Sequence, residues 1–189
     1  MQKNIQNNLI TWYNKNHRHF PWRETKNPYY IWISEIMLQQ TTTEAVIPYY
    51  TRFIETFDTI DKLAKASLED VYKLWEGLGY YRRAKYIHET AQFICENFHG
   101  QFPATYEDIL NLKGIGPYTA GAICSIAYGM STPAIDGNVL RIISRLYALK
   151  DNIALTKTQK KISQIVSELL IGYDASSFNQ GLMDLGATI

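Results

Sequence analysis

Along most of this chain apolar residues recur at steps of three and four, the period that gathers them on one face of an α-helix. Ile5, Leu9, Trp12 and Tyr13 stripe a first amphipathic helix. Asn27-Pro28 opens the next, with Asn27 as cap and Pro28 at the first helical position, where its missing N–H costs nothing. From Ile31 to Leu38 every residue except Ser34 and Glu35 is apolar, so this helix is predicted to be buried on most of its circumference. Residues 43–57 read as a third helix with a kink at Pro48. Ser67 caps 68–78, with Asp70 completing a partial capping box. Ala84, Ile87, Ala91, Ile94 and Phe98 mark a long helix that stops at Gly100. Thr105 caps 106–112, and a helix runs from Asn138 to Leu149. Ile162, Ile165, Val166, Leu169 and Leu170 stripe a later one, and Ser176 or Ser177 begins the last. No strand pattern, internal repeat or low-complexity linker interrupts the series. The predicted fold class is all-α.

Two places in this pattern carry chemistry. Leu112-Lys113-Gly114-Ile115-Gly116-Pro117-Tyr118 reads as a tight hairpin running into a helix that starts at Pro117. Gly114 and Gly116 are both expected at positive φ, leaving no side chain in the way of a close approach. Thr119, Ala120, Gly121 and Ala122 are small enough to let that helix pack close to a neighbour. Backbone N–H groups at a helix N-terminus make an anion site, for which a DNA phosphate is one candidate; a plain turn is the alternative. Asp136 lies at the mouth of the following helix, as either a cap or a catalytic carboxylate. Glu35 is a carboxyl group in poor solvent, which pushes its pKa up. That suits a general acid, a role worth about 10²–10⁴ in rate. Pairing with an arginine such as Arg23 is the alternative.

Four segments together resemble one family. Ser34-Glu35-Ile36-Met37-Leu38-Gln39-Gln40-Thr41, Gly77-Leu78-Gly79-Tyr80-Tyr81 with Arg83-Ala84, the hairpin, and Asp136-Gly137-Asn138 look like the MutY-type adenine DNA glycosylases. These belong to the helix-hairpin-helix superfamily, alongside endonuclease III. The resemblance runs from about Trp12 to the last residue, and Met37-Leu38-Gln39-Gln40-Thr41 is its most specific part. It implies a helix-hairpin-helix glycosylase fold with two helical lobes. A barrel lobe would span 24–127, with the hairpin motif at about 106–127. The second lobe would combine 1–23 with 128–189, and the active-site cleft would lie between the two.

The reaction so implied is base-excision hydrolysis of the N-glycosidic bond of adenine mispaired with 8-oxoguanine or guanine. Breaking that bond through an oxocarbenium-like sugar calls for two carboxyl groups in unlike states. By resemblance Glu35 protonates N7 of adenine and then positions or activates water. Asp136 stays ionised and stabilises the sugar, electrostatically or through a transient covalent bond. Tyr118 and Asn138 supply the surrounding hydrogen bonds. The base must first leave the duplex, at a cost of a few kcal/mol. Gln40 and Tyr80 would wedge into the gap, while Trp22, Arg23, Leu38, Thr41 and Gln180 would line the substrate site. Leu112, Gly114, Ile115 and Gly116 would meet the DNA backbone. From the residues alone, Trp22 also reads as core and Tyr80 as a surface ring after a helix stop. Endonuclease III-type lyases carry a lysine two residues after the second hairpin glycine as a Schiff-base nucleophile. Tyr118 stands there in this chain, which implies base removal without strand nicking. Lys113 reads as a solvated or phosphate-facing charge.

Composition adjusts this picture only slightly. The 189 residues, 46% of them hydrophobic, suit one compact unit or two small lobes. A formal net charge of +1 is low for a DNA binder. Positive charge is gathered in Arg82-Arg83-Lys85 and in Arg141 with Arg145, and acid between Glu55 and Glu76 reads as a face turned away from DNA. There is no signal peptide and no apolar run of the ~20 residues that span a bilayer, so no membrane partner is expected. Cys95 and Cys124 read as small buried hydrophobes in a reducing compartment. The histidines show no metal-ligand spacing, with His17 and His19 in a surface loop before Pro21, and no metal is expected. In the family, the segment resembling residues 178–186 is followed by cysteines holding a 4Fe–4S cluster and then by a domain that recognises 8-oxoguanine. The two cysteines here lie elsewhere, so this chain is expected to bind no cofactor, and the cluster only in a longer chain beyond Ile189. The expected partner is double-stranded DNA carrying a mispaired or damaged base, met by a monomer in a bacterial cytoplasm. An endonuclease III-like glycosylase for another damaged base, or a catalytically incompetent DNA-binding fragment, are the alternatives.

Overall fold

The computed structural model describes residues 2–189, with side chains from residue 5 onward. Every regular element among them is helical, and the chain divides into two units, Phe20–Thr119 and the chain up to His19 together with Ala120–Ile189.

The first unit holds a short 3₁₀ turn (Pro21–Arg23), α2 (Pro28–Leu38), α3 (Thr43–Thr56), α4 (Ile60–Lys65), α5 (Leu68–Trp75), α6 (Arg82–Phe98), α7 (Tyr106–Leu110) and the start of α8 (Pro117–Tyr128). Asn27 caps α2 by accepting the Tyr29 N–H at 2.9 Å, and every residue from Ile31 to Met37 is buried. α6 is the spine of this unit, packed on α2, α4 and α5, while α3 packs on α2 and α5. Trp32, Met37, Phe53, Trp75, Ile87 and Ile94 fill the core. The stop signal after α5 acts earlier than the periodicity suggests. α5 ends at Trp75 rather than Leu78, because Gly77 turns the chain at φ +94 and a Cβ there would strike the Tyr49 hydroxyl. α6 stops where His99 (φ +52) and Gly100 (φ +75) leave the right-handed region. α4, absent from the sequence reading, is a short helix capped by Thr59, whose hydroxyl accepts the Lys62 N–H at 3.2 Å.

The second unit comprises α1 (Gln2–Asn16), the rest of α8, α9 (Gly137–Leu146), α10 (Thr156–Leu170) and α11 (Ala175–Thr188). α11 packs on α1 and α9, and α10 on α9, around Leu9, Ile143, Val166, Leu170, Phe178 and Leu182. Two boundaries differ from expectation. α9 ends at Leu146, since Ala148 sits at φ +49 and the Leu149 N–H turns back to the Ser144 carbonyl at 2.9 Å. α11 begins at Ala175 because Asp174 is its cap, accepting the Ser177 N–H at 2.8 Å. The segment after α1 is tied to α11 by Arg18, which donates to the buried Asp184 carboxylate from Nε (3.0 Å) and Nη2 (2.9 Å).

The approach to Asp136 is pinned from two sides within this unit. Gly121 on α8 lies so close to the next segment that a Cβ would strike the Pro133 carbonyl, and the Thr132 hydroxyl donates to the Gly121 carbonyl at 3.2 Å. Asn179 on α11, fully buried, accepts the Ala134 N–H at 3.2 Å and donates to the Thr132 carbonyl at 2.9 Å. Asn179→Ala leaves two backbone groups without those partners, at about 1–3 kcal/mol each. The variant is expected to lose about 2–6 kcal/mol in urea unfolding at an unchanged m-value; a loss below about 0.5 kcal/mol would contradict this account.

Candidate active site

Glu35 lies in the third turn of α2 and is buried. What holds the end of its helix is Arg83, near the start of α6. The four terminal carbonyls of any helix lack intrahelical partners, and a cation there also complements the helix dipole. Arg83 Nη1 donates to the carbonyls of Ile36 (3.0 Å), Met37 (2.7 Å) and Gln39. Its Nη2 donates to the Thr41 hydroxyl (3.1 Å) and to the carbonyls of Leu78 (3.4 Å) and Gly79 (3.2 Å). The guanidinium also lies over the rings of Trp75 and Tyr80, 5.5 and 5.3 Å from their centroids. It is only 8% exposed, and burial pushes its pKa down. Arg83 is therefore not part of the surface cation cluster expected at Arg82-Arg83-Lys85. Arg83 Nε and Trp32 Nε1 have no protein hydrogen-bond partner, and both residues line a cavity of about 10 Å³ between α2, α6 and the hairpin, about the room one water takes.

Above this buried layer, Gln40, Tyr80, Tyr81, Arg82 and Gly114 line one concave surface of about 380 Å³. Gln40 and Tyr80 are both exposed and both in the left-handed region, at φ +59 and +50. Such a conformation costs a residue with a side chain about 1–3 kcal/mol and persists only where its surroundings impose it.

The hairpin forms the third side of this surface. Gly114 sits at φ +80, where a Cβ would come within 3.0 Å of Tyr86 Cδ2. Gly116 departs from expectation: it is not at positive φ, and a Cβ there would meet nothing within 4 Å. Neither the fold nor the turn calls for glycine at 116. Leu112 and Ile115 bury their side chains, and the Ile115 N–H closes the turn onto the Leu112 carbonyl at 3.2 Å. The two glycines are thus the positions that leave the hairpin surface bare. Lys113 is exposed, as expected of a solvated charge, but its ammonium pairs with Glu89 at 2.5 Å and lies 4.9 Å from the Tyr86 ring centroid.

In the second unit Asp136 caps α9. One carboxylate oxygen accepts the Val139 N–H at 2.7 Å, and the other accepts from Asn138 Nδ2 at 3.0 Å. Asn138 Oδ1 accepts in turn from Arg141 Nη2 at 3.2 Å, and Arg141 also donates to the Gly186 carbonyl. Arg141 thus serves Asn138 and α11 rather than an open cationic patch. Burial pushes the Asp136 carboxyl above the usual carboxylate range, while the Val139 and Asn138 donors pull against it.

Of the remaining candidates, Trp22 is buried, stacked on Phe20 (5.0 Å between centroids) and edge-on to Tyr50 (5.3 Å). The Arg23 guanidinium lies 5.1 Å from the Phe20 ring centroid. Leu38 is half-buried at the end of α2, and Tyr118 is the second residue of α8. Gln180 is buried in α11 and donates to the Ser176 hydroxyl at 3.0 Å. Cys124 is buried as expected; Cys95 is only half-buried, beside Asp61 at 3.6 Å. Each unit holds one of these cysteines, and no cluster of three or more His, Cys, Asp or Glu among the described residues is arranged to hold a metal ion. The residues present do not fit an iron–sulfur cluster.

Residues 33–170 match the family described as HhH-GPD superfamily base excision DNA repair protein. An adenine DNA glycosylase from Buchnera aphidicola (subspecies Acyrthosiphon pisum) is 44% identical over 96% of this chain and 52% of its own length. The human adenine DNA glycosylase is 39% identical over 98% of this chain and 36% of its own length. The chain thus spans about half the length, or less, of these curated relatives. Among solved structures, a thermostable thymine-DNA glycosylase superposes with a TM-score of 0.91 at 30% identity, covering 100% of this chain and 87% of the other. A trapped endonuclease III–DNA covalent intermediate shares the fold at a TM-score of 0.75 and 20% identity, over 97% of this chain and 85% of the other.

A raised carboxyl pKa has a definite sign for stability. Between the unfolded and folded pKa values of Asp136 the folded state holds more protons, so stability falls as pH rises through that window and stays lowered above it. Asn at the same position keeps one acceptor for the Val139 N–H and its uncharged amide escapes that desolvation, while its NH2 meets the Asn138 donor at every pH. The melting temperature of Asp136→Asn relative to wild type is therefore expected to be higher at pH 7 than below about pH 4, where aspartate protonates. A difference that does not change between these pH values would contradict the burial argument.

Proposed function

The chain belongs to the HhH-GPD superfamily of base excision DNA repair proteins, and we propose that it removes adenine from double-stranded DNA. The observation that carries the proposal is the concave surface shared by Gln40, Tyr80 and Gly114, set directly beyond the end of the helix that buries Glu35. An exposed amide and an exposed aromatic ring, each on a fixed backbone, suit insertion between bases. A ring can stack on any base face, and such stacking is worth about 1–3 kcal/mol. The bare backbone at Gly114 and Gly116 suits close approach by a phosphate.

In this reading the duplex meets the hairpin, and Gln40 and Tyr80 fill the space left by the extruded adenine. Glu35 protonates N7 as the C1′–N9 bond breaks, so that the bonding pair leaves with a neutral base. Asp136, held by Val139 and Asn138, offsets the positive charge on the sugar. Water completes the abasic sugar at C1′. With Tyr118 two residues beyond Gly116, and Lys113 engaged by Glu89, the reading has no Schiff-base nucleophile on the hairpin, and the strand is left intact. The partner base in this reading is 8-oxoguanine or guanine. The naming of the curated relatives as adenine DNA glycosylases supports adenine as the base removed. The similarity to a thymine-DNA glycosylase over most of its chain supports a second reading, in which the same machinery takes a mispaired thymine.

Glu35→Gln keeps the shape and loses the proton. Single-turnover release of adenine from a duplex carrying it opposite 8-oxoguanine is expected to fall by about 10²–10⁴, with duplex affinity largely retained. Release at the wild-type rate would remove Glu35 from the chemistry.

A further inference from the structure

We propose that Arg83 is a positioning residue for base extrusion, fixing Gln40 and Tyr80 as one rigid pair from inside the protein; this rests on the reading of their shared surface as the one that opens the duplex. The two side chains come from separate turns, one after α2 and one before α6. Each stands directly after a peptide whose carbonyl Arg83 holds: Gln39 before Gln40, and Gly79 before Tyr80. φ is the rotation just beyond such a peptide plane, and both residues have the left-handed φ that residues with a side chain seldom adopt. One guanidinium therefore ties together the starting planes of both wedges, the second of which is also held by Trp75 Nε1, donating to the Gly79 carbonyl at 3.0 Å. Its bonds to Ile36 and Met37 refer both to the end of the Glu35 helix. The planar fork makes this possible, since Nη1 serves α2 and the first turn while Nη2 reaches across to the second. Holding only α2 would not need the contacts to Leu78 and Gly79. A lysine carries the charge on a single point and cannot fork to both turns.

A pair that must hold a stack open loses insertion free energy if it also has to be ordered at that moment. Arg83 removes that ordering step in advance. Its loss is thus expected at extrusion rather than at bond cleavage, which separates positioning from mere support of the fold.

The test compares the full chain with its Arg83→Lys and Gly79→Ala variants. At Gly79 a Cβ meets nothing within 4 Å, so only the φ of +77 resists alanine, and the buried guanidinium is untouched. Fluorescence of 2-aminopurine placed opposite 8-oxoguanine reports unstacking at saturating protein. Adenine release is followed in single turnover, with rates normalised to folded protein by thermal melting. Both variants are expected to lose most of the fluorescence rise and to slow release by on the order of 100-fold, the effect of about 1 Å of misplacement, while duplex affinity changes far less. If Arg83→Lys does not fold, Gly79→Ala carries the same expectation alone. Variants that retain the wild-type fluorescence rise, whether or not release slows, overturn the positioning role. A wild-type protein that neither unstacks 2-aminopurine nor releases adenine overturns the functional reading itself, and the inference with it.

Discussion

A cation buried in a protein interior is tolerable only when its donors are matched by oxygens. Arg83 meets that condition with carbonyls from the end of α2 and from both turns beside it, and the Phe20–Thr119 unit is arranged around the bargain. The end of α2 needs donors, and the guanidinium needs acceptors. The turns at Gln39–Thr41 and Gly77–Tyr80 supply the rest, and in doing so they give up the freedom turns ordinarily have. With Asn27 capping one end of α2 and Arg83 the other, Glu35 sits on a helix fixed at both termini.

The second unit follows a related rule with the opposite charge. Asp136 is half-buried, which disfavours its ionised form, yet it receives a backbone N–H and the Asn138 amide. Asn138 is itself held by Arg141, and its backbone abuts Gly186, where any larger residue would collide with it. Stability alone would favour an uncharged cap here. Retaining a carboxylate under these conditions fits a group whose charge is used.

Much of the fold was legible because helix periodicity and capping are local. The buried run around Glu35, the Ser67 and Thr105 caps and the Gly114 turn all follow from neighbours in sequence. What escaped was set at a distance. A run of Arg82, Arg83 and Lys85 looks like one charged face, and only the packing of α6 on α2 and α5 reveals that its middle member points inward. Lys113 looked free because its partner Glu89 lies on another element. Gly116 looked like a turn glycine, although the turn needs only Gly114. Asp174 caps α11 although Ser176 and Ser177 offer the same signal nearby, a choice that short-range propensity does not decide. The site residues were legible as candidates through their motifs. The geometry that makes Gln40 and Tyr80 a pair was not, since it runs through an arginine read as surface.

Which base leaves the duplex decides between the two readings the fold supports. Free base released by wild-type protein should be identified by mass for two otherwise matched duplexes, one with adenine opposite 8-oxoguanine and one with thymine opposite guanine. Adenine released from the first, with no thymine from the second, is the predicted result. Thymine released faster than adenine would contradict the assignment and make this a thymine glycosylase built on the same surface.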